Sequence, residues 1–419
     1  MIKPIRLGLS LSLSGAYAAM GRQAEAALRL AVSDINQGGG IRVGGAQSRP
    51  VVMECLDDAS DPARCAEIYR QLCFTNPVDI LLGPYSSRLA RAAAPIAGDA
   101  RRVMINHGGA DDELYARGDR TIVAVLSCAS DYMARVVPLL AALKMWRKRL
   151  AIIAAPTPFA KSVARGVENA CAERTAKRGG VRIRVKYSAR FDPEAMRETL
   201  IPALARNRVN AVVSAGDFTH DVGVIRMLAT SHLYIPVLSC VAAGVEDFGR
   251  ELGDLAEGVV GPSQWEAQAR ITPELGPSPE EFEKRFAAEY PRIACDYPAA
   301  QAYAAAIVAK AAIEISGALD QMKLREAFSD MKTSTLFGDF QIDRVTGRQI
   351  AHQILLVQWH GGRKVIIDPE IHAETGEMNL PSGFSLILAS FRILKLKIAD
   401  QLAHESGDEE NDNDSTPRD

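Results

Sequence analysis

Residues 80–95 read ILLGPYSSRLARAAAP. Three apolar residues make a short strand, Gly83-Pro84 marks a turn, and Ser86 and Ser87 stand where a helix beginning near Arg88 needs a cap. Strand, turn and helix N-terminus in that order direct several backbone N–H groups and two hydroxyls toward one corner. The first-turn donors of a helix lack partners and its dipole is positive there, so the corner attracts a carboxylate or another small anion or dipole. In isolation the same stretch also describes an ordinary capped helix of an α/β domain. Its neighbours decide between the two.

Upstream, residues 5–13 alternate as a strand and end at Ser14-Gly15. Ala24, Ala27, Leu28, Ala31 and Ile35 recur at helical spacing, and Gly38-Gly39-Gly40 stops that helix. Residues 51–56 form the next strand, and Asp61-Pro62 reads as an N-cap followed by the first helical residue. Downstream of the corner comes a strand over 103–106. The first ~120 residues therefore run β-α-β-α-β-α-β, the order of a parallel, doubly wound sheet. Ligands on such sheets sit beyond the carboxyl ends of the strands, where Ser14-Gly15, the 83–87 corner and His107-Gly108-Gly109-Ala110 all fall.

The pattern restarts with a helix over 130–143 and continues through 150–261 with the same strand–helix alternation. After Trp265 come a Pro-rich stretch and helices at 280–290, 297–316 and 323–331. Residues 337–359 read as a hairpin turning at Val345-Thr346-Gly347, and 364–367 add a short strand. Residues 384–402 are amphipathic, and the acidic, polar end from Glu405 on is expected to be disordered.

The chain has 419 residues, room for two or three domains, with 47% hydrophobic and 24% charged residues. A net charge of −2 gives no sign of a nucleic-acid groove or broad basic membrane face. No run of about eighteen apolar residues is present. The seven cysteines form no CxxC pair and no zinc spacing. An odd, scattered set fits a mostly reduced protein with buried thiols, which favours the cytoplasm. Residues 1–20 imitate a signal peptide, but their Leu/Ser/Gly alternation is strand-like and is read as the first strand. There is no GxSxG, no phosphate-binding Walker loop, no HExxH and no GxGxxG after the first strand, so no enzyme, metal or cofactor constellation is expected.

Seven stretches in order, IRLGLSLSLSGAYAAMG (5–21), AVSDINQGGGI (31–41), DDASDP (57–62), LLGPYSS (81–87), INHGGADDEL (105–114), EGVVG (257–261) and GDFQIDRVTG (338–347), resemble the leucine-binding (branched-chain amino-acid) subfamily of type I periplasmic binding proteins. These are the solute receptors of ABC importers, with cytoplasmic amide sensors as relatives. The resemblance implies an α/β fold of two Rossmann-like lobes with three hinge crossings, near 123–127, 259–264 and 334–338. Lobe 1 would be 1–124 plus 263–334 and lobe 2 125–260 plus 336–372, followed by an extension over 373–403 and the tail over 404–419.

The resemblance also implies a ligand site. Ser87 would bind the ligand's carboxylate or amide, with Ser86 beside it and Tyr85 lining the pocket; Ser87 also reads as a plain N-cap. His107, Gly108, Gly109 and Ala110 would follow the next strand, with Ala110 where amino-acid binders commonly carry threonine. Tyr17 and Met20 would pack on the ligand from the first loop, or simply on that loop. Across the cleft stand Phe159, Asp217, Phe218 and Val241. The acid that pairs with an α-ammonium in amino-acid binders would fall close to Val241, an apolar residue that cannot do so. Asp217 could substitute, or be a helix cap. A carboxylate without an amine, or an amide, fits this set. His107 is either a ligand contact or a satisfied loop histidine.

Two functions follow from the resemblance. One is a periplasmic receptor delivering an amino acid, carboxylate or amide to the membrane permease of an ABC importer. The other is a cytoplasmic sensor of the same fold acting on a partner protein.

Overall fold

In β1 (Ile5–Leu11) every residue but Arg6 is buried, as befits a strand with a neighbour on each side and helices on both faces. Leu7, Leu9 and Leu11 face the larger core. Ser10 and Ser12 alternate with them, and their hydroxyls donate to the buried Asp58 carboxylate at 2.8 and 2.6 Å. The leucine–serine alternation is thus a two-faced strand. The computed structural model describes residues 3–45, 48–116, 120–143, 147–175 and 180–369. The 384–402 segment and the acidic tail lie outside them.

The first lobe continues through α1 (Ala18–Gln37), β2 (Val51–Asp57), α2 (Pro62–Arg70), β3 (Ile80–Leu82), α3 (Ser87–Asp99), β4 (Met104–Asn106) and β5 (Ile122–Ala124). Its sheet has the order β2-β1-β3-β4-β5, all parallel. Asp61 caps α2 by accepting from the Arg64 N–H at 2.8 Å, with Pro62 as the first helical residue.

The second lobe holds α4 (Ala129–Tyr132), α5 (Val136–Ala142), β6 (Arg149–Ala154), α6 (Pro158–Thr175), β7 (Arg182–Ser188), α7 (Pro193–Arg206), β8 (Ala211–Ala215), α8 (Phe218–Ala229), β9 (Val237–Cys240), α9 (Glu246–Leu252) and β10 (Val260–Ser263). The helix expected over 130–143 is two helices. Pro138 cannot donate to a carbonyl one turn back, so it is accommodated only in a first turn, and α5 restarts just ahead of it. The outer strand β7 presents Arg182, Arg184 and Lys186 to solvent, charges that discourage edge-to-edge pairing.

The chain then returns to the first lobe as α10 (Pro279–Glu289), α11 (Tyr297–Ser316) and α12 (Gln321–Asp330). α11 packs along α1 in the main core. Asp34 on α1 receives the Arg285 guanidinium of α10 and, at 2.6 Å, the Tyr303 hydroxyl of α11. A short antiparallel pair, β11 (Thr333–Thr335) and β12 (Gly338–Phe340), precedes the last passage into the second lobe. There β13 (Leu355–His360) and β14 (Arg363–Asp368) complete a seven-stranded sheet, β14-β13-β10-β9-β8-β6-β7.

The hairpin expected across 337–359 is therefore misplaced. At Val345-Thr346-Gly347 the Asp343 carboxylate accepts from the Val345 and Thr346 N–H groups, making a side-chain-capped loop, and only Ile342 and Gln349 bridge. The true hairpin is β13–β14, turning at Gly361-Gly362, and β13 runs antiparallel to β10.

Candidate functional site

The corner that follows β3 is built by three interlocking devices. Ser86 adopts φ 103° and ψ 147° and is the cap of α3, its hydroxyl accepting from the Leu89 N–H at 3.3 Å. Positive φ is costly for a residue with a Cβ and is held only where surroundings over-determine it. Ser87 is the first helical residue and half-buried, so the cap falls to Ser86 and the Ser87 hydroxyl is released from that duty.

The loop after β4 presses against this corner. Gly108 is required there, because a Cβ would stand 2.4 Å from the Pro84 carbonyl oxygen. Asn106, which the sequence did not single out, organises the loop. Its Oδ1 accepts from the N–H groups of Gly108 and Gly109 at 3.2 and 2.9 Å, and its Nδ2 donates to the Gly109 carbonyl at 2.7 Å. The Gly108 carbonyl accepts from the Ser86 N–H at 3.2 Å. The glycine donors expected to meet a ligand are thus already used. Ala110 is buried, and its carbonyl accepts from the Ala129 N–H at 2.6 Å. His107 is wholly buried with no hydrogen bond to either ring nitrogen. Burial pushes its pKa down to about 4, against a smaller upward pull from the backbone of Gly83 and of His107 itself.

Over the corner the two lobes contribute phenols. The Tyr85 hydroxyl lies 3.4 Å from that of Tyr297, the first residue of α11. Burial raises both phenol pKa values far above neutrality, so both stay protonated and act as hydrogen-bond donors and acceptors. Tyr132 of α4 is likewise buried and kept protonated, and its ring meets Phe159 edge-on at 5.4 Å and 87°. Tyr85, Phe159, Val241 and Tyr297 all pack against the same core. Tyr17 stands at the start of α1 and packs on the α2–α3 side. Met20 is half-buried in the first turn of α1.

Two expected residues carry further contacts of their own. Asp217 is exposed and caps α8, accepting from the His220 N–H at 2.9 Å. Phe218 joins the separate α8–α9 core and borders a surface groove with Phe191 and Arg197. The structure thus pairs the hydroxyls of Tyr85 and Tyr297, sets Tyr132 edge-on to Phe159, packs Val241 on the same extensive core, and gives Asp217 a capping role. Tyr297 carried one sequence signal, its place between Asp296 and Pro298 at a helix start; Tyr132 carried none.

Behind the phenols the crossings are stitched together. Gln264 exchanges hydrogen bonds with the Ser127 backbone, Oε1 accepting at 3.1 Å and Nε2 donating at 3.0 Å. His352 links the strands of this hinge. Its Nδ1 lies 2.7 Å from the Ser127 hydroxyl and its Nε2 2.9 Å from the Gln264 carbonyl, while its ring stacks on Phe337 at 4.5 Å and 10°. Gln349 reaches the Val125 carbonyl at 3.2 Å. A cavity of about 210 Å³ remains among Gln264, Trp265, Phe337 and His352.

Among the described residues no group of His, Cys, Asp and Glu is arranged to hold a metal ion. All seven cysteines are free thiols, five of them buried.

Residues 4–364 match the family model of the periplasmic binding proteins. The Leu/Ile/Val/Thr-binding protein of Salmonella typhimurium is 23% identical over 256 residues, 61% of this chain and 67% of that protein. Among solved structures, the branched-chain amino-acid transporter substrate-binding protein LivJ of Streptococcus pneumoniae, in complex with isoleucine, has a TM-score of 0.71 at 18% identity, covering 88% of this chain and 100% of that one. The solute-binding protein of an ABC transporter from R. palustris, in complex with benzoate, has a TM-score of 0.69 at 21% identity, covering 87% and 96%. The substrate-binding protein from Sphaerobacter thermophilus reaches 0.74 at 22%, covering 88% and 99%. At such identities structural likeness establishes the fold alone, a mixed α/β arrangement of largely parallel sheets flanked by helices. The family match runs across both lobes: the chain belongs to the periplasmic binding protein family.

Proposed function

We propose that this chain is a non-enzymatic solute-binding protein, which captures a small amino acid, carboxylate or amide between its lobes and delivers it to the membrane permease of an ABC importer in the periplasm. The observation that carries the reading is the approach of the Tyr85 and Tyr297 hydroxyls beside the Ser86-Ser87 corner, while Phe159 and Val241 of the other lobe pack against the same core. A helix N-terminus and a free serine hydroxyl suit a carboxylate or amide oxygen. The apolar residues opposite suit a hydrocarbon body, and lobe closure removes water from both ends. The comparisons support a binding role of this kind, since their ligands are an amino acid in one relative and an aromatic acid in another.

Thermal-shift titration with amino acids, small carboxylic acids and amides tests this directly. A true ligand at 100 times its Kd adds about 2.7 kcal/mol of stability. If no compound bearing a carboxylate or amide raises Tm, the proposed site chemistry is wrong. Cellular fractionation separates import from sensing, because a protein confined to the cytosol cannot feed an importer.

The two serines should separate cleanly. Ser87→Ala is expected to weaken the bound ligand by about 1–3 kcal/mol while leaving stability nearly unchanged. Ser86→Ala removes the α3 cap and is expected to cost about 1 kcal/mol of stability. Calorimetric titration and urea unfolding of both variants check the division; equal ligand affinity in Ser87→Ala and the parent would remove Ser87 from the site.

A further inference from the structure

Lys364 on β14 is only 4% exposed at its side chain, yet carries its charge inside. Its Nζ lies 2.9 Å from Glu266 Oε1 and 3.4 Å from Asp296 Oδ1, with the Glu246 carboxylate also at 3.4 Å. It donates at 3.2 Å to the carbonyl of Gly244. That carbonyl closes the short turn Val241–Gly244, the turn whose first residue replaces the expected ammonium-binding acid. Asp296 in turn directly precedes Tyr297, the residue that meets Tyr85. The ammonium therefore stands between the Val241 turn of one lobe and the N-terminus of α11 in the other.

From this placement we infer that Lys364 sets ligand specificity: its ammonium occupies the acidic cluster of Glu266 and Asp296, so the cleft accepts a carboxylate or amide that carries no amino group. The inference rests on the cleft being the ligand site.

The carboxylate ledger supports it. Five carboxylates are buried among the described residues: Asp58, Asp111, Asp221, Glu266 and Asp296. Asp58 receives Ser10 and Ser12, and Asp111 receives the Arg91 guanidinium. Asp221, just beneath the Val241 turn, accepts from the Ser214 hydroxyl at 2.8 Å and the Ala242 N–H at 3.0 Å. Glu266 and Asp296 share Lys364. Each of these buried acids thus has a partner, so an ammonium drawn in among them would lose its hydration without gaining a free carboxylate there. Burial pulls the Lys364 pKa down, but Glu266, Asp296 and Glu246 more than reverse this and keep it charged.

Matched pairs differing only in the amino group provide the test: 4-methylvalerate against leucine, and 3-phenylpropionate against phenylalanine, titrated calorimetrically into the intact protein. The expected result is that the member without the amine binds at least about tenfold tighter. In Lys364→Met, which vacates the Glu266–Asp296 pair, that preference should shrink or invert. Lys364→Arg, which keeps a cation there, should retain it. The unmodified protein alone can overturn the inference, because equal or tighter binding of leucine or phenylalanine contradicts it whether or not the variants fold. A folded Lys364→Met with an unchanged preference would also refute it. If no member of either pair and no other carboxylate or amide binds, it is the binding function itself that falls, and the specificity claim with it.

Discussion

Lowering the pH from about 7 to about 4 is expected to remove on the order of 6 kcal/mol of folding stability through two histidines, His107 and His352. Both are held neutral in the fold, with pKa values pushed down to about 4 chiefly by burial. In the unfolded chain each returns to about 6.5, and each pKa unit corresponds to about 1.4 kcal/mol. The unfolded state therefore binds more protons throughout this interval. Stability is fully present above about pH 6.5, falls as the pH drops, and levels off below the folded-state values. Glu266 works the other way within the carboxylate range, since burial raises its pKa while Lys364 pulls it back. The two histidines differ in context. His107 has no hydrogen-bond partner, whereas His352 engages Ser127 and Gln264. Urea midpoints measured across this pH range should fall steeply, and His107→Phe should remove roughly half of the slope. A midpoint flat between pH 7 and pH 5 would show that neither ring is buried neutral.

Trp265→Ala is expected to cost about 3–5 kcal/mol, the range for deleting a fully buried aromatic side chain. Trp265 is 2% exposed and follows β10 at one of the passages between lobes. Its ring meets Phe282 of α10 edge-on at 5.9 Å and 80°, and its Nε1 donates to the Leu336 carbonyl at 2.9 Å. One side chain thus fastens two crossings and a helix, and its loss leaves both a void and a buried carbonyl without a donor. Trp265→Phe keeps much of the packing but not the hydrogen bond, so it should cost about 1–3 kcal/mol. Equilibrium unfolding distinguishes these values; a loss below about 1 kcal/mol for the alanine variant would contradict the packing described.

The repeated strand–helix units were legible because each strand is a short apolar run bounded by small residues, and each helix announces its start chemically, as at Asp61-Pro62. Where a side chain from afar intervenes, local pattern misleads. The loop at 345–347 carries the residues of a hairpin turn, but Gln349 is drawn across to Val125 and Asp339, and the chain must cross the hinge. At the site, the corner of β3 and α3 was visible because strand, turn and cap are contiguous. Tyr132, Tyr297 and Lys364 were not, because their meaning comes from partners far away in sequence. Asp217 had two possible roles on sequence grounds, and the hydrogen bond it accepts from the His220 N–H shows the capping one. The scattered cysteines proved to be free, mostly buried thiols, and burial raises the pKa values of those inside, which keeps them protonated and slow to oxidise. Their odd number is therefore a weak guide to compartment.

The antiparallel seat of β13 beside β10 sets a timetable for synthesis. A ribosome releases β10 while α10 through α12 and the hinge loops are still to be made, so that strand waits with one edge bare. Only when β13 and β14 emerge does the second sheet close. Long-range pairings of this sort form late and slowly. During that wait the nascent chain presents a row of unpaired backbone N–H and C=O groups along β10, the kind of edge on which misassembly feeds. The final two described strands thus close the second sheet last, about a hundred residues after the strand whose edge they cover.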